Sequence, residues 1–206
     1  MRDALSRFAT FEEVRSPEFA AVNEVLDRIS VSFQLPDHSD VNELRYPWSR
    51  GMLSKPSFYA ARMWEYPYAI LAAELVPGLK VADVGCAMTA FTIYLKEHAG
   101  CDITGVDPDV FEAGLRYKGH GVSEEFIKRT GIKFLRGDMT EVPLESGSQD
   151  RAFSISVMEH VPPDVRRRGM QELARILKPG GRAIVNVEMR LWFEMYRPLQ
   201  VGYESG

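Results

Sequence analysis

Cysteine, histidine and tryptophan are scarce in the 206 residues, at two, four and three, and no apolar run approaches the roughly 20 residues of a membrane span. Two cysteines cannot supply a disulfide framework. Cys86 and Cys101 lie in apolar strand or turn contexts without C-x-x-C spacing, so they read as buried reduced thiols of a cytoplasmic protein. No His/Asp/Glu set shows metal-ligand spacing, and no metal is expected. Positive charge is not in excess either: 25 Lys and Arg against 29 Asp and Glu give a formal charge of -4, with the basic residues scattered. That balance offers no general attraction to a nucleic-acid backbone. Asp3, Glu12 and Glu13 in the opening segment, which lacks an unbroken apolar core, argue against a targeting presequence.

What is present is an apolar fraction of 45%, enough for one substantial core with an added segment. Residues 1–56 read as a helical N-terminal extension and lid, and residues 57–206 as the main domain. "SPEFAAVNEVLDRIS" opens with Ser16 as a cap and Pro17 in the first turn, and puts Phe19, Val22, Leu26 and Ile29 on one stripe. Residues 33–56 are punctuated by Pro36, Pro47, Gly51 and Pro56 and read as a long irregular segment, either disordered or a lid. "SFYAARMWEYPYAILAAEL" returns to helical spacing, with an interruption or kink expected at Pro67.

Beyond residue 78 short β-rich runs alternate with helical ones, the pattern of a parallel sheet with crossover helices. Strands are expected at 80–84, 102–106, 132–136, 151–156 and 182–187, and helices at 89–98, 108–117, 123–130 and 163–177. Thr89 is an expected N-cap, Asp164 helps to cap the last helix, and "KPGG" at 178–181 stops that helix before a strand. The fold class is α/β, a doubly wound and mainly parallel sheet whose ligand crevice lies at the carboxyl ends of the strands.

Those ends carry the candidate residues. In "VADVGCAMTAFTIYL" the first strand ends in Asp83 and Val84, and the chain runs through Gly85, Cys86 and Ala87 toward a helix N-terminus, where free N–H groups face a ligand. The second strand ends in "TGVDPD". Asp107 there can accept from both hydroxyls of a ribose, or cap the helix starting at Pro108, and one carboxylate can do both. Asp138, in "LRGDMTEVP", can accept from an exocyclic amine with Met139 against the base plane, or shape a turn. "SISVMEHVPP" brings Glu159 and His160 to the same crevice, as acid and base or as organisers of the next turn.

"VADVGC", "TGVDPD", "LRGDMTEVPLESGSQDRAFSISVMEHV" and "ARILKPGGRAIVNV" together resemble the class I S-adenosylmethionine-dependent methyltransferases, over about residues 57–188 and closest to the branch acting on small molecules. The resemblance implies S-adenosyl-L-methionine as cofactor and a Rossmann-like methyltransferase fold. Asp83 would hold the amino group, and Gly85 with the backbone of Cys86 and Ala87 would lie along the methionyl part. Asp107, with Pro108 beside it, would bind the ribose hydroxyls. Asp138 and Met139 would take the adenine, and Ser156 would border the methionine tail. The family commonly reads Asp-x-Gly-x-Gly-x-Gly, and here Ala87 and Thr89 replace the later glycines. A positive φ at Ala87 would cost on the order of 1 kcal/mol and crowd the ligand. Residues 188–206 are too few for both the helix and the two strands that usually follow in the family, so these are either cut short or absent, and the fifth strand would be an exposed edge unless "RLWFEMYRPL" or a second copy in a homodimer covers it.

Methyl transfer needs alignment, exclusion of water and a proton acceptor. His160 is the first candidate for the base, with Glu159 as its partner and His38 behind them; His98 and His120 read as structural or solvated. Tyr46, Trp48, Tyr59, Trp64 and Tyr66 either wall a lid over the substrate or fill core. Arg166, Arg167 and Arg168 read as a solvated face. Three classes stay open: a methyltransferase acting on a small molecule, with neither nucleic acid nor membrane as partner; a methyltransferase-like binding module with a weakened site; and a nicotinamide-dependent dehydrogenase reading Gly85, Ala87 and Ala90 as its fingerprint.

Overall fold

The computed structural model describes residues 11–35, 62–110 and 121–187. Its helices are α1 (Phe11–Val14), α2 (Pro17–Phe33), α3 (Arg62–Ala72), α4 (Ala90–Glu97), α5 (Glu124–Thr130) and α6 (Pro163–Ile176). Its strands are β1 (Lys80–Val84), β2 (Asp102–Asp107), β3 (Lys133–Arg136), β4 (Gln149–Ile155) and β5 (Leu177–Asn186). All pairs are parallel, in the order β3-β2-β1-β4-β5. The expected doubly wound α/β sheet is therefore present. The expected helix over 108–117 passes outside the described residues after Val110, as do the lid residues His38, Tyr46, Trp48 and Tyr59, the cover for β5 from residues 190–199, and His120.

The two faces of the sheet follow from strand periodicity. Val81, Ile103, Phe153 and Ile184 face one cluster with Leu26 of α2, Ile70 of α3, Ile93 of α4 and Phe126 of α5. Ala82, Val84, Val106 and Ala152 face the other with Leu173 and Ile176 of α6. Helices of the β1-β2-β3 half cover one face and α6 of the β4-β5 half covers the other, so the winding reverses between β1 and β4. A crevice at the carboxyl ends is the geometric consequence.

The extension helix α2 forms as its sequence dictates. Ser16 Oγ accepts from Phe19 N at 3.3 Å, Pro17 opens the first turn, and the stripe of Phe19, Val22, Leu26 and Ile29 is buried. Complete burial of Leu26, about 1.5–3 kcal/mol relative to exposure, anchors it to the sheet. Trp64 and Tyr66 are core: Trp64 lies between Phe19 and Tyr68, and Tyr66 stacks on Phe91.

Three local expectations are corrected, and a fourth, the N-cap at Thr89, holds in position. Helix α3 continues through Pro67, because Asn23 Nδ2 donates to the Met63 carbonyl at 2.9 Å, supplying the donor that proline lacks. Thr89 occupies the N-cap of α4 with no hydrogen bond from its side chain to the helix. Pro162, not Asp164, holds the cap position of α6, and Asp164 pairs with Arg168 instead. Finally, "KPGG" does not precede the strand but interrupts it. Leu177 pairs with Gln149, residues 178–181 loop out opposite Asp150, and pairing resumes at Arg182. Asp150 pins this bulge, accepting from Lys178 Nζ and Lys80 N.

Helix α3 runs along β4 and β5 on the face it shares with α2. Its 11 residues rise about 16 Å, as long as the extended run from Arg151 in β4 to Ser156 just past it at ~3.3 Å per residue. Just past its last turn Arg151 donates to the Ala73 carbonyl, and Arg182 pairs with Glu74 at 2.9 Å. At its first turn Glu65 meets Ser156 and Asn186. The helix thus bridges the amino and carboxyl ends of two strands.

Candidate functional site

The floor of the crevice is the turn after β1. Gly85 (φ 82°) and Ala87 (φ 47°) are both left-handed. Glycine is required at 85 on a second count, since a Cβ there would lie 2.5 Å from Val157 Cγ2. The turn is fastened to β2 by three bonds. Gly85 N and Cys86 N donate to the Val106 carbonyl at 2.8 and 3.3 Å, and Ala87 N donates to Asp107 Oδ2 at 2.9 Å. Gly105 of β2 leaves room for this, because a Cβ there would lie 2.8 Å from Cys86 Sγ. The Cys86 thiol is buried and its pKa is driven well up, by burial first and then by Asp83 and Asp107. Only its backbone is available to a ligand.

Two carboxylates meet beside this turn. Asp83 is 3% exposed, and burial, then the neighbouring Asp107, raises its pKa to about 7, with Arg62 opposing. Asp107 is also buried and its pKa is raised by burial, moderated by the Asp109 and Ala87 N–H groups it accepts. Its Oδ1 takes the Asp109 N–H at 2.9 Å, so Asp107 shapes the turn at half-buried Pro108 as well as the turn after β1.

Asp138 is next in line, reached through the bond from Gly137 N to the Asp107 carbonyl at 3.2 Å. It is exposed and forms a side-chain turn, Oδ1 accepting from Thr140 N and Thr140 Oγ1 at 2.8 Å each. Met139 has its side chain buried in the second cluster, with its sulfur beside Gly169 of α6, so it packs core as well as adjoining Asp138. A groove of about 760 Å³ lined by Arg136, Asp138, Glu141, Glu145, Glu172 and Arg175 shares Asp138 with the candidate residues. Arg175 and Glu172 there are engaged with each other and with the backbone of Val142, so we assign it no ligand.

After β4, Ser156 is left-handed at φ 53°. Its N–H donates to the Asn186 carbonyl at 2.9 Å and its hydroxyl to Glu65 Oε1 at 2.7 Å. A 3-10 turn, Met158–His160, follows. The His160 ring is 42% exposed, with Nε2 4.0 Å from Oε1 of the 12% exposed Glu159 side chain. Arg166 holds this turn by donating to the Met158 and Val161 carbonyls, a role its place in a basic run did not suggest. Arg167 and Arg168 lie on the exposed face. His98 is an exposed helix end stacked on Tyr94.

The structure thus gathers Asp83, Gly85, Cys86, Ala87, Asp107 and Pro108 tightly, brings Ser156 to them through Val157, and sets Asp138 at one side and Glu159 with His160 at the other. Sequence reasoning missed Arg62, Glu65, Asn186 and Arg166. The signals for two of them were available: a carboxylate in the apolar run "MWEYPYAILAA", and an amide at the carboxyl end of a strand.

A sterol 24-C-methyltransferase of Gibberella zeae is 30% identical over 109 residues, covering 51% of this chain and 26% of that protein. A tRNA (carboxymethyluridine(34)-5-O)-methyltransferase of Mus musculus is 30% identical over 132 residues, 63% of this chain and 18% of that protein. The chain therefore spans about a quarter or less of the length of these curated relatives. The PH0226 protein of Pyrococcus horikoshii shares the fold, with a TM-score of 0.51 at 20% identity, over 83% of this chain and 65% of that one. Residues 82–185, from β1 into β5, match the methyltransferase domain family, and the chain belongs to that family.

Proposed function

We propose that the chain transfers a methyl group from S-adenosyl-L-methionine to a small-molecule acceptor. The observation that carries this reading is the pair of buried carboxylates, Asp83 and Asp107, beside a turn whose backbone Asp107 fixes. Burial raises the cost of charging both, and Asp107 adds to that cost at Asp83, so the pair suits a ligand end that bears positive charge. An ammonium beside Asp83 meets that need. A dinucleotide pyrophosphate would face carboxylates and the Ala87 methyl where it needs N–H groups and a second glycine, so the nicotinamide reading fits poorly.

Asp107 already accepts two backbone N–H bonds and has lone pairs left for ribose hydroxyls. Asp138 spends Oδ1 on its own turn, leaving its other oxygen for the adenine amine. Ser156 and Val157 close the side toward β4. When bound, the cofactor supplies an activated methyl on a sulfonium, and the chain has to align the acceptor and remove a proton. His160, an exposed ring on the turn after β4 with Glu159 beside it, is the proton acceptor in this reading. Cys86 and Cys101, both free and buried, suit a reducing cytoplasmic setting.

A second reading, a binding module with a weakened cofactor site, draws on one observation, the left-handed Ala87. Calorimetric titration with S-adenosylmethionine, S-adenosylhomocysteine and NAD separates the readings. Saturable micromolar binding of the first two and none of NAD is expected, followed by methyl transfer from labelled cofactor to members of a small-molecule panel. Binding without transfer to any acceptor favours the module, and transfer to tRNA alone would replace the acceptor class.

A further inference from the structure

We infer that Glu65, on a helix outside the family's matched segment, is a positioning residue of the crevice: it holds Ser156 in its left-handed conformation and so seats the turn carrying Val157, Glu159 and His160. The inference rests on the methyl-transfer reading for its functional consequence, but its structural core does not.

Glu65 is 6% exposed, and its carboxylate accepts from Ser156 Oγ and pairs with Arg62. Its backbone carbonyl accepts from Asn186 Nδ2 at 3.0 Å, within a buried contact at the end of β5. Asn186 in turn accepts the Ser156 N–H. Ser156 is thereby held at its N–H and its hydroxyl by β5 and α3, and it needs holding: a non-glycine residue at φ 53° is unfavourable unless its surroundings over-determine it.

The consequences run in both chain directions from that residue. Val157, the next residue, projects its methyl groups into the space above Gly85, at the cofactor turn. The bond from His160 N to the Val157 carbonyl at 3.0 Å then closes the 3-10 turn that sets Glu159 and His160. Arg62, the partner of the same carboxylate, is also the cation that offsets the buried charge of Asp83. One acidic side chain on α3 thus reaches the β1 turn and the β4 turn together, while Arg151 and Arg182 fix the far end of the helix.

The test exploits the conformational cause. Glu65→Ala should speed hydrogen exchange at the Ser156 and His160 amides and weaken S-adenosylhomocysteine binding about tenfold or more. Glu65→Gln, which keeps an acceptor for Ser156, should stay within about threefold of wild type. Glycine adopts φ 53° without strain, so Ser156→Gly in the Glu65→Ala background should restore both readouts. Ser156→Ala, which keeps the strain and loses the hydroxyl, should reproduce Glu65→Ala and replaces it if that variant does not fold. Unchanged exchange at Ser156 and His160 in both Glu65→Ala and Ser156→Ala overturns the inference. So does failure of Ser156→Gly to restore them while α3 amides open, which would make Glu65 a simple anchor of its helix. If wild-type protein does not bind S-adenosylhomocysteine, the methyl-transfer reading fails, and the exchange measurements still decide the positioning role.

Discussion

The N–H of Ala87 donates to Asp107 Oδ2 at 2.9 Å, and this bond spans the two strand ends that form the crevice floor while holding an alanine at φ 47°. The departure from the family's glycine pattern is therefore accommodated by strain, with the β2 carboxylate as the restraint. An L-residue in this region costs on the order of 1–2 kcal/mol. Glycine would remove that cost but add about 0.4–1 kcal/mol of unfolded-state entropy. Ala87→Gly is accordingly expected to raise the melting temperature by about 1–3 °C, and to bind S-adenosylhomocysteine at least as tightly as wild type. A lowered melting temperature would mean that the alanine methyl contributes packing that outweighs the strain.

Asp107 serves the fold and the proposed ligand at once, so its substitution should affect both. Asp107→Ala strands the Ala87 and Asp109 N–H groups and is expected to cost about 2 kcal/mol or more of stability, with binding of S-adenosylhomocysteine lost. His160→Ala, at an exposed ring, should leave melting and binding unchanged and slow only methyl transfer. Equal loss of binding in the two variants would remove His160 from the role of base.

Asp83 makes stability and binding depend on pH in opposite senses. Its pKa is raised from 3.8 to about 7 in the fold, by burial first. The native state therefore holds a proton that the unfolded state releases between those values. Stability is fully present below about pH 4 as far as this group is concerned, and is lost as the pH rises through about 7, by up to about 4 kcal/mol. Asp107, shifted in the same direction, adds to the slope. Binding of a cationic methionyl end requires the ionised form, so affinity should rise with pH until about 7 and then level off, with proton release detectable in buffers of different ionisation enthalpy. Asp83→Asn should flatten both profiles. A flat affinity profile in the wild type would show that Asp83 does not meet the ammonium.

Much of this site was legible because its determinants are local. β1 and β2 read as apolar runs ending in Asp83 and Asp107, and a strand that ends in an acid delivers it to the crevice whatever the rest of the chain does. Two kinds of feature were not legible. Glu65 meets Ser156 and Asn186 across 91 and 121 residues, and no local pattern records so distant a bond. Met139 follows Asp138 directly, but the chain turns between them, so strand periodicity no longer says which side each faces. "KPGG" has the residues of a stop, yet an ion pair from Lys178 to Asp150 lets the strand resume beyond it.

The same long-range logic explains Pro67 and gives its own test. A proline inside a helix leaves the carbonyl four residues earlier without a donor, at a cost of about 3 kcal/mol or more. Here that carbonyl belongs to Met63 and accepts from Asn23 Nδ2, a side chain 7% exposed on α2. Asn23→Leu should therefore destabilise the protein by about 1–3 kcal/mol, by leaving a buried carbonyl unsatisfied. Pro67→Ala restores the helical N–H to Met63, so the loss on Asn23→Leu should be much smaller in that background. The two substitutions are expected to couple by about 1 kcal/mol or more in a double-mutant cycle read by denaturant melting. Additive effects would mean that Asn23 acts only through its packing, and that α3 tolerates Pro67 for another reason.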